Sequence, residues 1–164
     1  MTVEQVQAAK SKRTIFLVIM ILFVVAWIAT AIFGYIVVGN VRNTADDTDR
    51  NMRALAWASL AFACEHDGRF PSDEDELFSV QPLPESIPCV PATVGAWPTK
   101  RIEAFEGAHP PDLAGAAARL QLHFSSDGRF PPVVGNNGLP TRLGTQDEIK
   151  GWLWAFDEAK DNEG

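Results

Sequence analysis

The chain has 164 residues, 46% of them apolar, and a formal net charge of −7 from 14 Lys+Arg against 21 Asp+Glu. The first thirteen residues carry Glu4 against Lys10, Lys12 and Arg13, a balance of +2, so everything after them carries −9. An exterior that acidic argues against nucleic acid as a partner, where affinity comes from neutralising phosphates, and two cysteines with 24 residues between them make neither a zinc site nor a disulfide-dense scaffold.

Residues 1–13 read as a short basic tail. From Thr14 to Val41 there are 28 residues without a charge. The most apolar part, Ile15 to Val38, gives roughly 36 Å of helix at 1.5 Å per residue, enough to cross a hydrocarbon core of about 30 Å with some tilt. A globular core helix of this length would show a polar stripe, and this run has none. A signal peptide would have an apolar region of only about 7 to 15 residues. We therefore expect an uncleaved transmembrane helix over 14–41. Trp27 sits mid-span, and Tyr35 near its exit, where an amphipathic ring is at home. Basic residues before the span, and Asp46, Asp47 and Asp49 after it, put the N-terminus in the cytoplasm by the positive-inside bias. Residues 42–164 then lie outside, in the periplasm of a bacterial inner membrane. Within the span Ala26, Thr30 and Gly34 recur every four residues, a spacing that lets a second helix approach closely. The membrane is one expected partner, and a second copy or another envelope protein is the other.

Beyond the span the helical pattern is expected to continue with a polar face, as one long helix or as two nearly collinear ones joined near Gly34 and Gly39. Met52, Leu55, Leu60, Phe62 and Ala63 recur at roughly helical spacing. Gly68 is the expected stop, because it can adopt the left-handed conformation, and Pro71 forbids resumption. Cys64 and Cys89 would lie in a compartment that permits a disulfide; two buried thiols are the other reading. Ser72 with Asp75 or Glu76 reads as the capped, acidic start of a short helix. Residues 81–99 hold five prolines, a density that excludes a long helix or a central strand and leaves room for edge strands.

The pentapeptide Asp67-Gly68-Arg69-Phe70-Pro71 returns as Asp127-Gly128-Arg129-Phe130-Pro131, and residues 51–72 share nine identities with 111–132. Duplication of a helix–turn–helix unit is one reading, and coincidence in alanine-rich sequence is another. The alternation of Gln121-Leu122-His123-Phe124 favours a hairpin from Leu120 to Val134 turning on Asp127-Gly128. Arg69, Phe70, Arg129 and Phe130 are candidate interaction residues. Thr145 and Glu148 are expected to open a terminal helix with Ile149, Trp152, Leu153, Phe156 and Ala159 on one face. Trp154 falls off that stripe and is offered to a neighbour or a partner.

Chemistry-bearing patterns are sparse. His66, His109 and His123 have no metal-ligand spacing. No phosphate loop, nucleophile elbow or metalloprotease motif is present. Asp73 to Glu76, and Asp157 with Asp161, Asn162 and Glu163, read as solvated acidic faces rather than calcium loops. No cofactor, metal or catalytic set is expected, and the chain is read as no enzyme.

The stretch Asn51-Met52-Arg53-Ala54-Leu55, followed by Glu65-His66-Asp67-Gly68-Arg69-Phe70-Pro71 and an acidic helix start, resembles type IV pilin-like proteins. In particular it is similar to the G-like pseudopilins of type II secretion and the prepilin-type proteins of planctomycetes. The resemblance covers about residues 14–78. It implies an apolar helix running into a soluble one, and action by assembly in a secretion or pilus-like envelope complex. The family's Gly before the apolar run and its Glu early in the mature chain have no counterpart here, so a prepilin peptidase finds no site. The fold class expected is α+β: a transmembrane helix extending into a soluble helix, on a small outer domain with short strands and a terminal amphipathic helix. The alternative function is a bitopic accessory or ligand-binding membrane protein unrelated to filaments.

Overall fold

The computed structural model describes the backbone of residues 3–87 and 98–162, and side chains over 15–87 and 98–158. The chain is mixed helix and small sheet. Helix α1 runs Val3–Glu65, followed by α2 (Glu74–Phe78), α3 (Arg101–Ala104), α4 (Leu113–Ala117), strands β1 (Gln121–His123) and β2 (Val133–Gly135), and α5 (Thr145–Asn162). Backbone contacts divide the chain into two units, residues 1–41 and 42–164.

In the first unit the described side chains are exposed almost throughout, including Phe16, Phe23, Trp27, Phe33 and Tyr35. The run is long and apolar enough to cross a membrane, so it is compatible with a membrane anchor. Helix α1 passes through Gly34 and Gly39 without interruption. Ala26, Thr30 and Gly34 all lie on exposed surface. The Thr30 hydroxyl donates to the Ala26 carbonyl at 2.9 Å, and around Gly34 a side chain would meet nothing within 4 Å.

The second unit is built around the C-terminal part of α1. Asn51 to Ala63 are buried without exception, which corrects the expected polar face: in this segment the helix has no solvent side. A helix apolar all round belongs in an interior. Here five alanines among the thirteen residues keep it thin enough to be enclosed by short segments. Trp57, Phe62, Met52, Leu55 and Leu60 are its largest side chains in the core. Leu77, Phe105, Leu113, Ile149, Trp152 and Phe156 close the core from the elements that follow. The indole N–H of Trp57 donates to the Pro84 carbonyl at 3.1 Å. Ser59 returns its hydroxyl to the Leu55 carbonyl at 2.8 Å.

Helix α1 stops where expected, by a two-residue device. Asp67 (φ 52°) and Gly68 (φ 83°) both take the left-handed conformation, and the Gly68 N–H donates back to the Ala63 carbonyl at 2.8 Å, the six-to-one bond of a Schellman ending. The start of α2 shifts by one residue from expectation. Asp73, not Ser72, is the cap and accepts from the Glu76 N–H at 2.9 Å. Helix α5 likewise begins at Thr145 itself, after Gly144 at φ 89°, so Thr145 is its first residue rather than its cap. Of its expected stripe, Ile149, Trp152, Leu153 and Phe156 are buried, while Ala159 lies outside the described side chains. In the proline-rich stretch residues 88–97 lie outside the described residues. On either side of them Ser86 bridges Lys100 as an isolated antiparallel pair.

The two pentapeptide copies do not fold alike. The second lies in a nine-residue loop, 124–132, that joins β1 to β2 with Gln121 opposite Gly135 and His123 opposite Val133. The hairpin is real, but it does not turn tightly on Asp127-Gly128. The alanines before it belong to α4, a helix of only five residues, so the repeated letters do not repeat a helix–turn–helix. The copies instead meet each other. Gly128 is buried, and its carbonyl accepts the Phe70 N–H at 2.9 Å. A Cβ at Gly128 would stand 2.4 Å from the Phe70 carbonyl oxygen.

That contact gives a paired test. Gly128→Ala combines a left-handed φ of 64° with this collision and should cost about 2–4 kcal/mol. Gly107→Ala, at φ 82° with open space around it, should cost only about 1 kcal/mol. Urea denaturation of the full chain in detergent, followed by tryptophan emission, reads both; equal losses would refute the contact.

Candidate functional site

The polar density of the second unit gathers where α1 enters its core. Asp46, Asp49, Arg50 and Arg53 line a cleft of about 210 Å³ with Phe105, Glu106 and Arg142. Arg53 lies in the buried stretch, and its guanidinium is shared between two distant segments, 104–106 and α5. Nη1 donates to the Ala104 carbonyl at 3.1 Å and Nη2 to the Glu148 carboxylate at 2.8 Å. Nη2 also stands 3.3 Å from Glu106. Its carbon sits 5.3 Å from the Trp152 ring centre, a cation–π contact. The Glu148 side chain, expected to close a capping box with Thr145, serves Arg53 instead.

Arg142 holds the loop before α5 against α1. Its backbone N–H donates to Asp49 at 3.2 Å, its Nε to Asp46 at 2.9 Å and its Nη1 to Glu106 at 2.9 Å. The Glu106 and Asp46 hydrogen bonds hold its proton more tightly than usual. Glu106 in turn is a stronger acid than usual, first through Arg142. Asp49 is almost fully buried. One of its oxygens, Oδ2, has no hydrogen-bond partner and lies 3.9 Å from Arg142 Nε. Arg50 pairs with Asp47 one turn away. The geometry is that of a clamp made of arginine forks and carboxylates. Among the described residues no three His, Cys, Asp or Glu side chains are placed to hold a metal ion. His66, His109 and His123 sit on separate segments.

The candidate interaction residues separate. Phe70 is buried, its ring edge-on to Phe156 at 5.7 Å, so it has no exposed face. Arg69 grips Glu76 through both ends of its guanidinium, at 3.0 and 2.9 Å, and lies over the Phe62 ring. His66 stacks on that same Phe62 at 3.9 Å and meets its carbonyl through Nδ1. Arg129 and Phe130 stay on the surface, and Arg129 pairs with Asp127 at 3.2 Å. Trp154 is 42% exposed. Cys64 is disulfide-bonded, and Cys89 lies outside the described residues.

The sequence holds Arg69 and Glu76 only seven residues apart, around a turn. It gave no sign of the Arg53–Glu148 and Arg142–Asp46 pairs, which span 95 and 96 residues. The one signal available was an arginine, Arg53, inside an otherwise apolar helical stretch.

Glu76 has a pH signature. The Arg69 fork, then the Ser72 N–H, then the Ser72 hydroxyl hold its carboxylate ionised, lowering its pKa from 4.5 to about 2. It therefore binds its proton more weakly folded than unfolded. The stability it contributes is complete above pH 4.5 and drains away as the pH falls toward 2. Glu76→Gln should cost about 1–2 kcal/mol at neutral pH and flatten this acid limb, as read by denaturation midpoints across the range. For the clamp, Arg53→Met strands the buried Ala104 carbonyl and should cost about 2–3 kcal/mol with little salt dependence. Arg142→Ala, cutting half-exposed pairs, should cost about 1 kcal/mol, and less in high salt. A loss from Arg53→Met that vanished in salt would contradict the burial.

Comparison of the chain with family models, with curated proteins and with solved structures finds no match.

Proposed function

We propose that this chain is a non-enzymatic, single-pass membrane protein of pilin-like layout. Its first unit spans the inner membrane with the N-terminus in the cytoplasm. Its acidic second unit works outside, by assembly or docking in an envelope complex. One observation carries the reading: the same helix, α1, exposes apolar side chains from Ile15 to Val41 and buries every residue from Asn51 to Ala63. The first segment needs an apolar solvent, and the second is the spine of a small folded body. That division of one helix between two surroundings is what the resemblance over residues 14–78 implies. The exposed Arg129, Phe130 and Trp154 suit contact better than catalysis.

The second reading, an accessory membrane protein outside any filament, is favoured by the absence of the family's glycine and glutamate around the apolar run.

Three measurements test these readings, and the second separates them. Protease added to spheroplasts should digest the C-terminal unit and spare a fragment of the first forty-odd residues. Protection of the whole chain would reverse the proposed orientation. The mass of the native protein should keep Met1 under the accessory reading and lose a short leader under the pseudopilin reading. Cross-linking in membranes should trap a dimer that Gly34→Leu weakens; monomer alone would remove the packing role of Ala26, Thr30 and Gly34.

A further inference from the structure

Two adjoining clefts of the second unit share Asp47, Asn51 and Arg119. The first, of about 290 Å³, is also lined by Arg50, His109 and Asp112. The second, of about 430 Å³, adds Thr44, Thr48 and Asn137. Asn51 is only 8% exposed, yet its carboxamide has no hydrogen-bond partner among the described residues. Its polar atoms are not sealed in the interior either, so they are reached through the clefts that it lines. Water in the clefts can bond such a group, and a ligand oxygen that took the water's place would bond it equally well.

The carboxylates around it are already committed. Asp47 pairs with Arg50. Asp112 accepts from the Gly115 N–H at 2.9 Å and from the Gln81 amide at 3.2 Å. The donors are not. The side chains of Arg119 and His109 have no partner among the described residues, and Arg50 bonds only through Nε and Nη2. In a unit of charge −9, uncommitted donors gathered around one amide without a protein partner suit a ligand rich in acceptor oxygens. A guanidinium fork, an imidazole and an amide together suit a tetrahedral group with several oxygens better than a two-oxygen carboxylate.

We propose that this double cleft binds a phosphate group through Arg119, Asn51, His109 and Arg50. Two sources share that chemistry: a phospholipid headgroup and a free phosphate monoester. The headgroup rests on the membrane-anchor reading above. It is favoured because Thr44, Asp47, Thr48 and Asn51 form one face of α1 beginning three residues after the uncharged run ends at Val41.

The test uses the full chain in maltoside micelles, which carry no phosphate. It follows the Asn51 side-chain amide and Arg119 Nε–H signals by NMR. Glycerol 3-phosphate and short-chain phosphatidylglycerol are titrated separately. Saturable shifts are expected with at least one of them. Arg119→Gln should weaken binding at least about tenfold, whereas Lys150→Gln, at an exposed position of α5 that lines neither cleft, should leave it unchanged. Tighter binding of the lipid identifies a headgroup site, and tighter binding of glycerol 3-phosphate a soluble ligand. Shifts that never saturate with either probe, or equal affinity in the two variants, overturn the proposal. A chain that stayed dissolved without detergent would defeat the anchor reading while leaving the glycerol 3-phosphate arm valid.

Discussion

Thirteen consecutive residues of α1, Asn51 to Ala63, are withdrawn from water on every side. An ordinary amphipathic helix lends one stripe to a core and keeps the rest solvated. This segment keeps nothing solvated, so the remaining chain must surround it. That requirement explains why the second unit has so little regular structure. Beside the one long helix α5, helices of four or five residues and a three-residue strand pair bend around the rod. It also explains the alanines: small side chains let loops approach the helix closely, and Trp57 and Phe62 fill the spaces that remain. Each polar group caught in the rod is met by a different part of the wrapping, Trp57 by Pro84, and Arg53 by Ala104 and Glu148.

Loops that wrap a rod contribute few ladder hydrogen bonds, and arginine does much of the fastening. Arg53, Arg69, Arg101 and Arg142 each join segments at least seven residues apart in sequence. Arginine suits the task because its fork reaches two acceptors at once and stays charged when half-buried. The acidic excess of the unit gives each of these four forks a carboxylate: Glu148, Glu76, Glu85 and Asp46. Asp49 marks the limit of the arrangement. Its buried Oδ2 lies just beyond hydrogen-bond reach of Arg142, so the clamp is one bond short of complete.

The parts of this fold that could be read from sequence are those decided locally. The apolar run, the Asp67-Gly68 helix stop, the acidic start of α2 and the stripe on α5 each follow from residues within a few positions of one another. The enclosure of α1 could not be read that way. Its spacing looked amphipathic, and nothing within the helix records that Glu148 and Arg142 will reach it from the far end of the chain. The repeated pentapeptide makes the same point from the opposite direction. Both copies place their glycine at positive φ, 83° and 64°. Yet one copy ends a helix with Phe70 buried, and the other rides a hairpin loop with Phe130 exposed. Five identical residues set a turn, and what precedes the turn sets everything else.

The first unit poses the complementary problem. Soluble monomers rarely expose a contiguous apolar patch beyond a few hundred Å², and here every described residue from Ile15 to Val38 is exposed or nearly so. Such a surface must be covered, and the cover must lack water throughout, because no polar stripe interrupts the run. Another protein could supply it only by enclosing the helix on all sides, as the second unit encloses Asn51 to Ala63. That enclosure requires a thin helix. The first unit instead carries Phe16, Phe23, Trp27, Phe33 and Tyr35 around its surface and only three alanines between Ile15 and Val41. Lipid chains deform around side chains of any size. A single helix thus exposes an uncharged run that is compatible with a membrane anchor and encloses an alanine-rich stretch as the spine of a folded unit.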